Sequence, residues 1–118
     1  MTKILVVEDN PDVAMATGSQ LASTGYEVRV TMNEESALEE ADEFLPDAVV
    51  LDISMPAMGA FMLARELRAR RGQSVRLIAW TSLGRALFDR HYLVPLEFDD
   101  VLSKPLALME LRKVLRED

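Results

Sequence analysis

The stretch VVLDISMPAMG, residues 49–59, contains the features that decide the fold. Its first three residues are apolar and are typical of a buried strand, and the aspartate Asp52 follows them directly. Pro56 and Gly59 then favour a turn that leaves the sheet. The stretch therefore raises the question of why a carboxylate stands where a core strand ends.

Segments of strand and helix character alternate on both sides of this stretch. Short β-branched or alternating runs predict strands at residues 3–7, 27–31, 48–51, 75–80 and 100–103. Capping residues, apolar spacing and stop signals predict helices at residues 11–24, 34–44, 58–71, 85–92 and 106–116. This alternation predicts an α/β fold of three layers, in which helices cover both faces of a five-stranded parallel sheet. The length favours a single domain over residues 1–118.

The composition excludes several classes of protein. The chain has no cysteine and a single histidine, His91, which excludes thiol catalysis, disulfides and zinc sites built from cysteine or several histidines. A net charge of −7 argues against direct binding of nucleic acid, because a phosphate backbone requires a basic surface. No apolar run approaches the roughly 18 residues of a membrane span, and no charged-then-apolar leader opens the chain. We therefore expect a soluble, cytoplasmic protein that does not contact a membrane.

A basic cluster in the middle of the chain has two interpretations. It is either a contact for an acidic partner or the end of a helix, where positive charge is favourable against the helix dipole. We favour the second interpretation, because it requires no partner. The arginines concerned are Arg65, Arg68, Arg70, Arg71 and Arg76.

Polar side chains follow four of the predicted strands. In an open parallel sheet the carboxyl ends of the strands lie along one edge, and ligands bind there. We therefore expect carboxylates, a hydroxyl and an ammonium group to converge at that edge. The residues are Glu8 and Asp9 after the first strand, Asp52 after the third, Thr81 and Ser82 after the fourth, and Lys104 and Pro105 after the fifth.

These residue types suit phosphoryl transfer. Unpaired carboxylates that lie close together repel one another and need a cation, and Mg²⁺ fits because it takes oxygen ligands. Lys104 can neutralise a further charge, and Thr81 can donate a hydrogen bond. Each residue alone also has an ordinary structural interpretation, such as a helix cap for Asp9 or a strand end for Thr81. Their joint occurrence at the ends of different strands favours the functional interpretation.

The chain carries the motifs ILVVEDN at residues 4–10, LDISMP at residues 51–56, the threonine of WTS at Thr81, and SKP at residues 103–105. Together these motifs resemble the response-regulator receiver domain, a module of two-component signalling. The resemblance covers the whole chain. It implies a flavodoxin-like (βα)5 fold with the strand order 2-1-3-4-5.

The resemblance also implies roles for the acidic residues. Asp52 would be the phosphoacceptor, which takes a phosphoryl group from a histidine kinase or a histidine phosphotransfer protein. Glu8 and Asp9 would hold Mg²⁺ together with the Asp52 carboxylate and the backbone carbonyl of Ser54. The apolar strand would thus fix Asp52 rigidly, and the turn after it would leave room for metal and donor.

Two further residues have roles that the resemblance implies. Thr81 would be the switch hydroxyl that is drawn toward the phosphoryl group. Lys104 would pair with a phosphate oxygen, and its bond to Pro105 would be cis. Phosphorylation would then alter a neighbouring face that binds an output protein, whose identity the sequence leaves open. A phosphorylation-dependent dimer is also left open, as is whether the chain acts alone or within a larger protein.

The chain departs from the pattern of the family at two places. Gly59-Ala60 stands where the family usually has Asp-Gly, so the glycine of the turn has moved by one position. Val101 stands three residues before Lys104, where the family usually has an aromatic residue that couples to the switch hydroxyl. Trp80 directly precedes Thr81, and strand alternation alone leaves open whether it faces the site.

Other functions remain open beside the phosphorylated receiver. The first is an interaction module of the same fold that works without phosphorylation, which Val101 and the altered turn favour. The second is an aspartate-based phosphatase or phosphotransferase, but Ser54 occupies the position where such enzymes usually have a second aspartate. The third is a flavin carrier, for which the chain lacks a recognisable phosphate-binding loop. We therefore do not expect an enzyme beyond any catalysis of its own phosphorylation and dephosphorylation.

Overall fold

A computed structural model describes residues 2–53, 58–82 and 97–115 of the chain. The described residues form strands that alternate with helices, as the sequence predicts. The strands are β1 (Lys3–Val7), β2 (Glu27–Thr31), β3 (Ala48–Ile53), β4 (Arg76–Thr81) and β5 (Asp100–Ser103). The helices are α1 (Pro11–Ser23), α2 (Glu34–Phe44), α3 (Met58–Arg71) and α4 (Leu108–Val114), with a short 3-10 turn at Gly72–Ser74. The helix predicted at residues 85–92 lies outside the described residues.

The strands form one parallel sheet in the order β2-β1-β3-β4-β5. This order confirms the α/β fold and the strand order that the resemblance implied. β1 and β3 lie in the middle of the sheet, and the strand pairs bring the ends of β1, β3, β4 and β5 to the same edge. The candidate residues therefore lie on neighbouring strands.

Two apolar cores fill the space between the sheet and its helices. On one face, α2 and α3 pack with side chains such as Leu5, Leu51 and Leu77. On the other face, α1 and α4 pack with side chains that include Val50 and Trp80. Both faces of the sheet are thus covered, which explains why the central strands are almost wholly apolar.

Capping groups start the helices where the sequence predicts. Asn10 is extended, and its side-chain oxygen accepts hydrogen bonds from the N–H groups of Asp12 and Val13. Asn33 caps α2 in the same way by accepting from the N–H group of Ser36. Gly25, with a φ of 102°, follows the end of α1 and confirms the predicted stop, because this conformation is strained for residues that carry a Cβ.

Three predicted boundaries are corrected by the structure. β3 continues through Asp52 to Ile53, and β4 includes Thr81, because Asp52 pairs in register with Trp80 and Ile53 with Thr81. Asp52 and Thr81 therefore lie within the last two residues of β3 and β4 and do not follow these strands. The last helix begins at Leu108 and not at residue 106, because Ala107 still has an extended backbone.

The basic cluster is engaged within the molecule. Arg70 pairs with Asp42 and Glu66, and Arg76 pairs with Asp100. The other arginines of the cluster also reach acidic side chains or backbone carbonyls of the chain. These contacts favour a structural interpretation of the cluster, through ion pairs more than through the helix dipole.

Apolar side chains near β5 and α4 differ in their exposure. Val101 and Leu106 lie in the core, whereas Met109 on α4 is 75 % exposed. In the described part of the chain, the helices are all too short or too polar to cross a membrane.

Candidate functional site

The ammonium group of Lys104 joins two carboxylates at the carboxyl edge of the sheet. Its Nζ atom lies 2.6 Å from Oε1 of Glu8 and 2.5 Å from Oδ1 of Asp52. Glu8 follows β1, Asp52 lies in β3 and Lys104 follows β5, so the contact closes the edge across three strands. The sequence prediction that these groups converge is therefore confirmed for all three residues.

Glu8 is buried and has both of its carboxylate oxygens paired. Its residue is 2 % exposed, Oε1 accepts from Lys104, and Oε2 accepts from the N–H group of Asn10 at 3.1 Å. Burial of a carboxylate without such partners would be unfavourable by several kcal/mol. Asn10 thus has two tasks, since its side chain caps α1 and its backbone fixes Glu8.

The acidic cluster suits a divalent cation. One carboxylate oxygen from each of Glu8, Asp9 and Asp52 lies within 4.8 Å of the other two. Among the described residues, Lys104 pairs with two of these three carboxylates, so negative charge predominates in the cluster. A cleft of about 100 Å³ opens beside Asp9 and Asp52 and has room for roughly three water-sized groups. An all-oxygen site of this kind, with space for water, fits Mg²⁺.

The environment of Lys104 keeps its side chain charged. Partial burial alone would lower the pKa of the ammonium group, but hydrogen bonds to Asp52 and Glu8 outweigh burial and raise the pKa above its usual value. The ammonium group is therefore a fixed positive charge at neutral pH. Its side chain is 22 % exposed, and its Nζ atom contacts the Asp52 carboxylate that lines the cleft.

Thr81 lies at the end of β4 and is fully buried. Its backbone carbonyl accepts a hydrogen bond from the N–H group of Lys104 at 2.9 Å, which ties the end of β4 to the loop after β5. Its register partner is Ile53, the neighbour of Asp52 in β3. The structure thus brings Thr81 to the same edge, and its role as a switch hydroxyl stays a prediction.

Three further predicted features differ in their outcomes. The bond between Lys104 and Pro105 is cis, as predicted. The Ser54 carbonyl, predicted as a metal ligand, lies outside the described residues. Ser82 is exposed.

Trp80 is the residue whose place the sequence left open. It pairs in register with Asp52, so the two side chains leave the sheet on the same face. Nζ of Lys104 lies 4.6 Å from the centroid of the indole ring, which is within the range of a cation–π contact. The register between β3 and β4 would have been needed to find this contact from the sequence.

The structure shows what surrounds Gly59 and Val101, the two departures from the family pattern. A Cβ atom built on Gly59 would lie 2.6 Å from Oε1 of Glu34, so glycine allows this carboxylate to approach the first turn of α3. Glu34 lines the same cleft as Asp52. Val101 is 5 % exposed and packs in the core between the sheet and α3.

Comparison with known proteins decides the family. The family model of the response regulator receiver domain matches residues 4–116. The chain belongs to this family. The resemblance that four sequence motifs suggested is therefore confirmed, as is the fold. Receiver domains of response regulators are signalling modules and not metabolic enzymes, which agrees with the prediction for this chain at that level.

A relative from Mycobacterium leprae is more than twice as long as the part that aligns with this receiver domain. The transcriptional regulatory protein PrrA is 34 % identical over 109 residues, and the alignment covers 92 % of this chain. It covers 46 % of PrrA, so the chain spans less than half the length of that relative.

Two solved structures resemble this receiver domain along nearly its whole length. The response regulator TrrA of Thermotoga maritima, in complex with Mg²⁺-BeF, has a TM-score of 0.79 and 28 % identity and covers 98 % of this chain and 97 % of its own. A chain in the complex of the histidine kinase ThkA with TrrA has a TM-score of 0.75, 28 % identity and the same coverage of both chains.

Proposed function

We propose that this receiver domain accepts a phosphoryl group on Asp52 and thereby changes its affinity for a partner. The observation that carries the proposal is the contact of Lys104 with Asp52 and Glu8 inside an acidic cluster. It provides a nucleophilic carboxylate, a fixed positive charge in contact with it and a place for a divalent cation beside it. Phosphoryl transfer depends mainly on positioning and electrostatic stabilisation, which these groups supply.

In this mechanism, an oxygen of the Asp52 carboxylate attacks the phosphorus atom of a phosphohistidine. The new P–O bond forms as the P–N bond breaks, and the imidazole leaves with the electron pair and takes up a proton. Lys104 contacts Oδ1 of Asp52 before the reaction and can then pair with an oxygen of the phosphoryl group. The partial burial of Asp52 keeps bulk water from competing.

Glu8, Asp9, Asp52 and the backbone carbonyl of Ser54 would hold Mg²⁺. Its contribution would be to offset the negative charge that the carboxylates and the incoming phosphoryl group share. Glu8 would keep its hydrogen bond from Asn10 and so present a fixed carboxylate. Asp9, which is exposed, would be the ligand on the solvent side of the cleft.

Thr81 would act as the switch hydroxyl and Lys104 as the phosphate-binding cation. A dianionic phosphoryl group brings oxygens that require donors, and these two side chains lie at the strand ends nearest to Asp52. Movement of Thr81 would then bias the loop that follows β4 and the face beside it. A cytoplasmic histidine kinase or histidine phosphotransfer protein is the donor that this chemistry needs, and the complex of ThkA with TrrA supports the first.

A module of the same fold that works without phosphorylation is the second candidate. Val101 favours it, because a small aliphatic side chain packed in the core cannot turn inward as an aromatic ring does. The complete set of carboxylates and the paired Lys104 favour the phosphorylated form more strongly.

The intact mass of the protein after incubation with Mg²⁺ and acetyl phosphate tests the proposal. We expect the parent to gain one phosphoryl group and Asp52→Asn to gain none, because an amide oxygen is a poor nucleophile. Circular dichroism should show the same fold for both proteins. A gain of mass in the variant would place the acceptor elsewhere. If the parent gains nothing and does not bind beryllofluoride with Mg²⁺, the module without phosphorylation is the correct interpretation.

A further inference from the structure

We propose that Trp80 is a positioning residue that holds the ammonium group of Lys104 at the phosphorylation site. This role rests on the proposed function of Asp52 and deepens it. The geometry places the indole ring on the same face of the sheet as Asp52, with the ammonium group over the ring at 4.6 Å from its centroid. The Lys104 ammonium therefore contacts two carboxylates and one aromatic face.

The burial of Trp80 makes the ring a fixed support. Trp80 is 1 % exposed and packs among the side chains between the sheet, α1 and α4. A lysine side chain has four rotatable bonds and loses about 2 kcal/mol of rotamer entropy when it is ordered. A rigid aromatic face beside Nζ removes many of these rotamers before any ligand arrives, so less ordering is left for the step in which the phosphoryl group binds.

The aromatic face of Trp80 restrains the ammonium group of Lys104, and the indole N–H group takes no part in this restraint. Nε1 of Trp80 is buried and has no hydrogen-bond partner among the described residues. The ring is therefore held by packing and by the cation and not by an anchored N–H group. A phenylalanine at this position would keep an aromatic face and should keep most of the effect, whereas leucine would lose it.

The support matters most when Lys104 changes its contact at Asp52. Once Asp52 carries a phosphoryl group, Lys104 exchanges its contact with Oδ1 for a contact with a phosphoryl oxygen. Glu8 remains as one partner and the indole face as the other. Trp80 thus keeps the ammonium group of Lys104 beside Asp52 during this exchange. Without the ring, the lysine side chain would turn toward solvent.

The first measurement uses the emission spectrum of the metal-free protein. The chain has a single tryptophan, so excitation at wavelengths that tyrosine does not absorb reports Trp80 alone. We expect Lys104→Met to shift the emission or change its intensity, because the positive charge beside the ring is removed. Lys113→Met, which removes an exposed lysine on α4, is the control and should leave the spectrum unchanged. An identical spectrum for the parent and Lys104→Met would overturn the contact.

The second measurement is the affinity for beryllofluoride at fixed Mg²⁺, determined by calorimetry for Trp80→Leu in the parent and in the Lys104→Met background. We expect a loss of about fivefold in the parent and of less than about twofold without Lys104. Trp80→Phe should lose less than about twofold in the parent. Ile78→Val, which thins the core on the same face of β4, is the control for a merely structural loss and should bind as the parent does.

The possible results separate this inference from the function on which it rests. Equal losses for Trp80→Leu in both backgrounds, or a loss for Trp80→Phe as large as for leucine, would overturn the role of Trp80 alone. A parent that does not bind beryllofluoride would contradict the proposed function, and the role of Trp80 would fall with it. If Trp80→Leu does not fold, Trp80→Phe in the two backgrounds decides, and a loss of more than about twofold in the parent counts against the role.

Discussion

Lys104 determines the electrostatics of the cleft, because its ammonium group contacts carboxylates that come from two different strands. Glu8 is 2 % exposed and depends on this contact to offset the cost of its burial. Asp52 lies closer to solvent and keeps one oxygen that Lys104 does not contact in the ion pair. The same cation therefore stabilises a buried carboxylate and prepares an accessible one for reaction.

Lys104→Met should reduce the free energy of unfolding by about 3 kcal/mol in the absence of metal, because it leaves the buried Glu8 carboxylate without its cation. Added Mg²⁺ should restore part of this loss, since it brings positive charge to the same carboxylates. Urea unfolding with and without Mg²⁺ measures both effects. Lys113→Met serves as the control and should change stability by less than about 0.5 kcal/mol. Equal losses for the two variants would contradict the importance of the Glu8 contact.

The sequence predicted the identity of these residues better than their contacts. Glu8, Asp52 and Lys104 could be found because each follows or ends an apolar run, and parallel strands align such ends. The contact of Lys104 with Trp80 could not be found, because it depends on which residue of β4 stands opposite Asp52. A slip of the register by one residue would have placed Trp80 on the other face.

Arg68 links α3 to the strands on one side of the sheet. Its guanidinium group donates to the carbonyls of Gly72, Val75 and Glu97 at 2.5, 2.8 and 2.6 Å, and Nη2 lies 2.8 Å from Oδ2 of Asp99. The side chain is 15 % exposed, so water replaces few of these bonds if they are lost. Arg68 thus fixes the start of β4 and the approach to β5 with one side chain.

Arg68→Ala should reduce the free energy of unfolding by about 3 kcal/mol, because several acceptors with little access to water lose their donor. Arg68→Lys should recover only a small part, since one ammonium group cannot reach the acceptors that a guanidinium fork spans. Thermal or urea unfolding provides the measurement. Arg65→Ala is the matched control on the same helix, because Arg65 is 79 % exposed and has one ion pair at 3.3 Å. A loss for Arg65→Ala as large as for Arg68→Ala would contradict this assignment.

Most elements could be predicted because their limits have local chemical signals. Asn33 and the acidic residues after it start α2, and Gly72, with a φ of 57°, follows the last residue of α3. The limits that were wrong lack such signals. Asp52 belongs to β3 only because it pairs with Trp80 of β4. The sequence of one segment alone does not determine such a pairing between strands.

Metal binding connects the acidic cleft to the stability of the whole receiver domain. A ligand that binds the folded chain alone adds RT ln(1 + [L]/Kd) to the free energy of unfolding, which is about 1.4 kcal/mol at ten times Kd. The carboxylates of Glu8, Asp9 and Asp52 come together only in the folded sheet. Mg²⁺ should therefore raise the unfolding temperature.

Asp9→Asn should not lower the unfolding temperature of the metal-free protein, because Asp9 is exposed and its charge is repelled by the neighbouring carboxylates. The rise with Mg²⁺ should become much smaller, since an amide oxygen is a weaker ligand than a carboxylate for this ion. Thermal unfolding over a range of Mg²⁺ concentrations gives both values. Glu35→Gln, which removes an exposed carboxylate outside the cluster, should respond to Mg²⁺ as the parent does. An undiminished rise in Asp9→Asn would remove Asp9 from the metal site.

The three-layer architecture could be predicted from the alternation of elements, but the order of the strands could not. Alternation of strand and helix fixes a parallel sheet with two covered faces, and many strand orders satisfy that condition. The order came from the resemblance of four motifs to a family, and the sheet of the structure confirms it. The single domain over residues 1–118 stays a prediction.

The most direct measurement is the position of the phosphoryl group in the phosphorylated protein. Borohydride reduces an acyl phosphate to the alcohol, which is homoserine for an aspartyl phosphate, and fragmentation of the labelled peptide then gives the residue. We expect homoserine at position 52 alone, and only in protein that has been treated with Mg²⁺ and a phosphodonor. Homoserine at position 9, 5-hydroxynorvaline at position 8, or phosphate that survives on a hydroxyl such as that of Thr81, would contradict Asp52 as the acceptor.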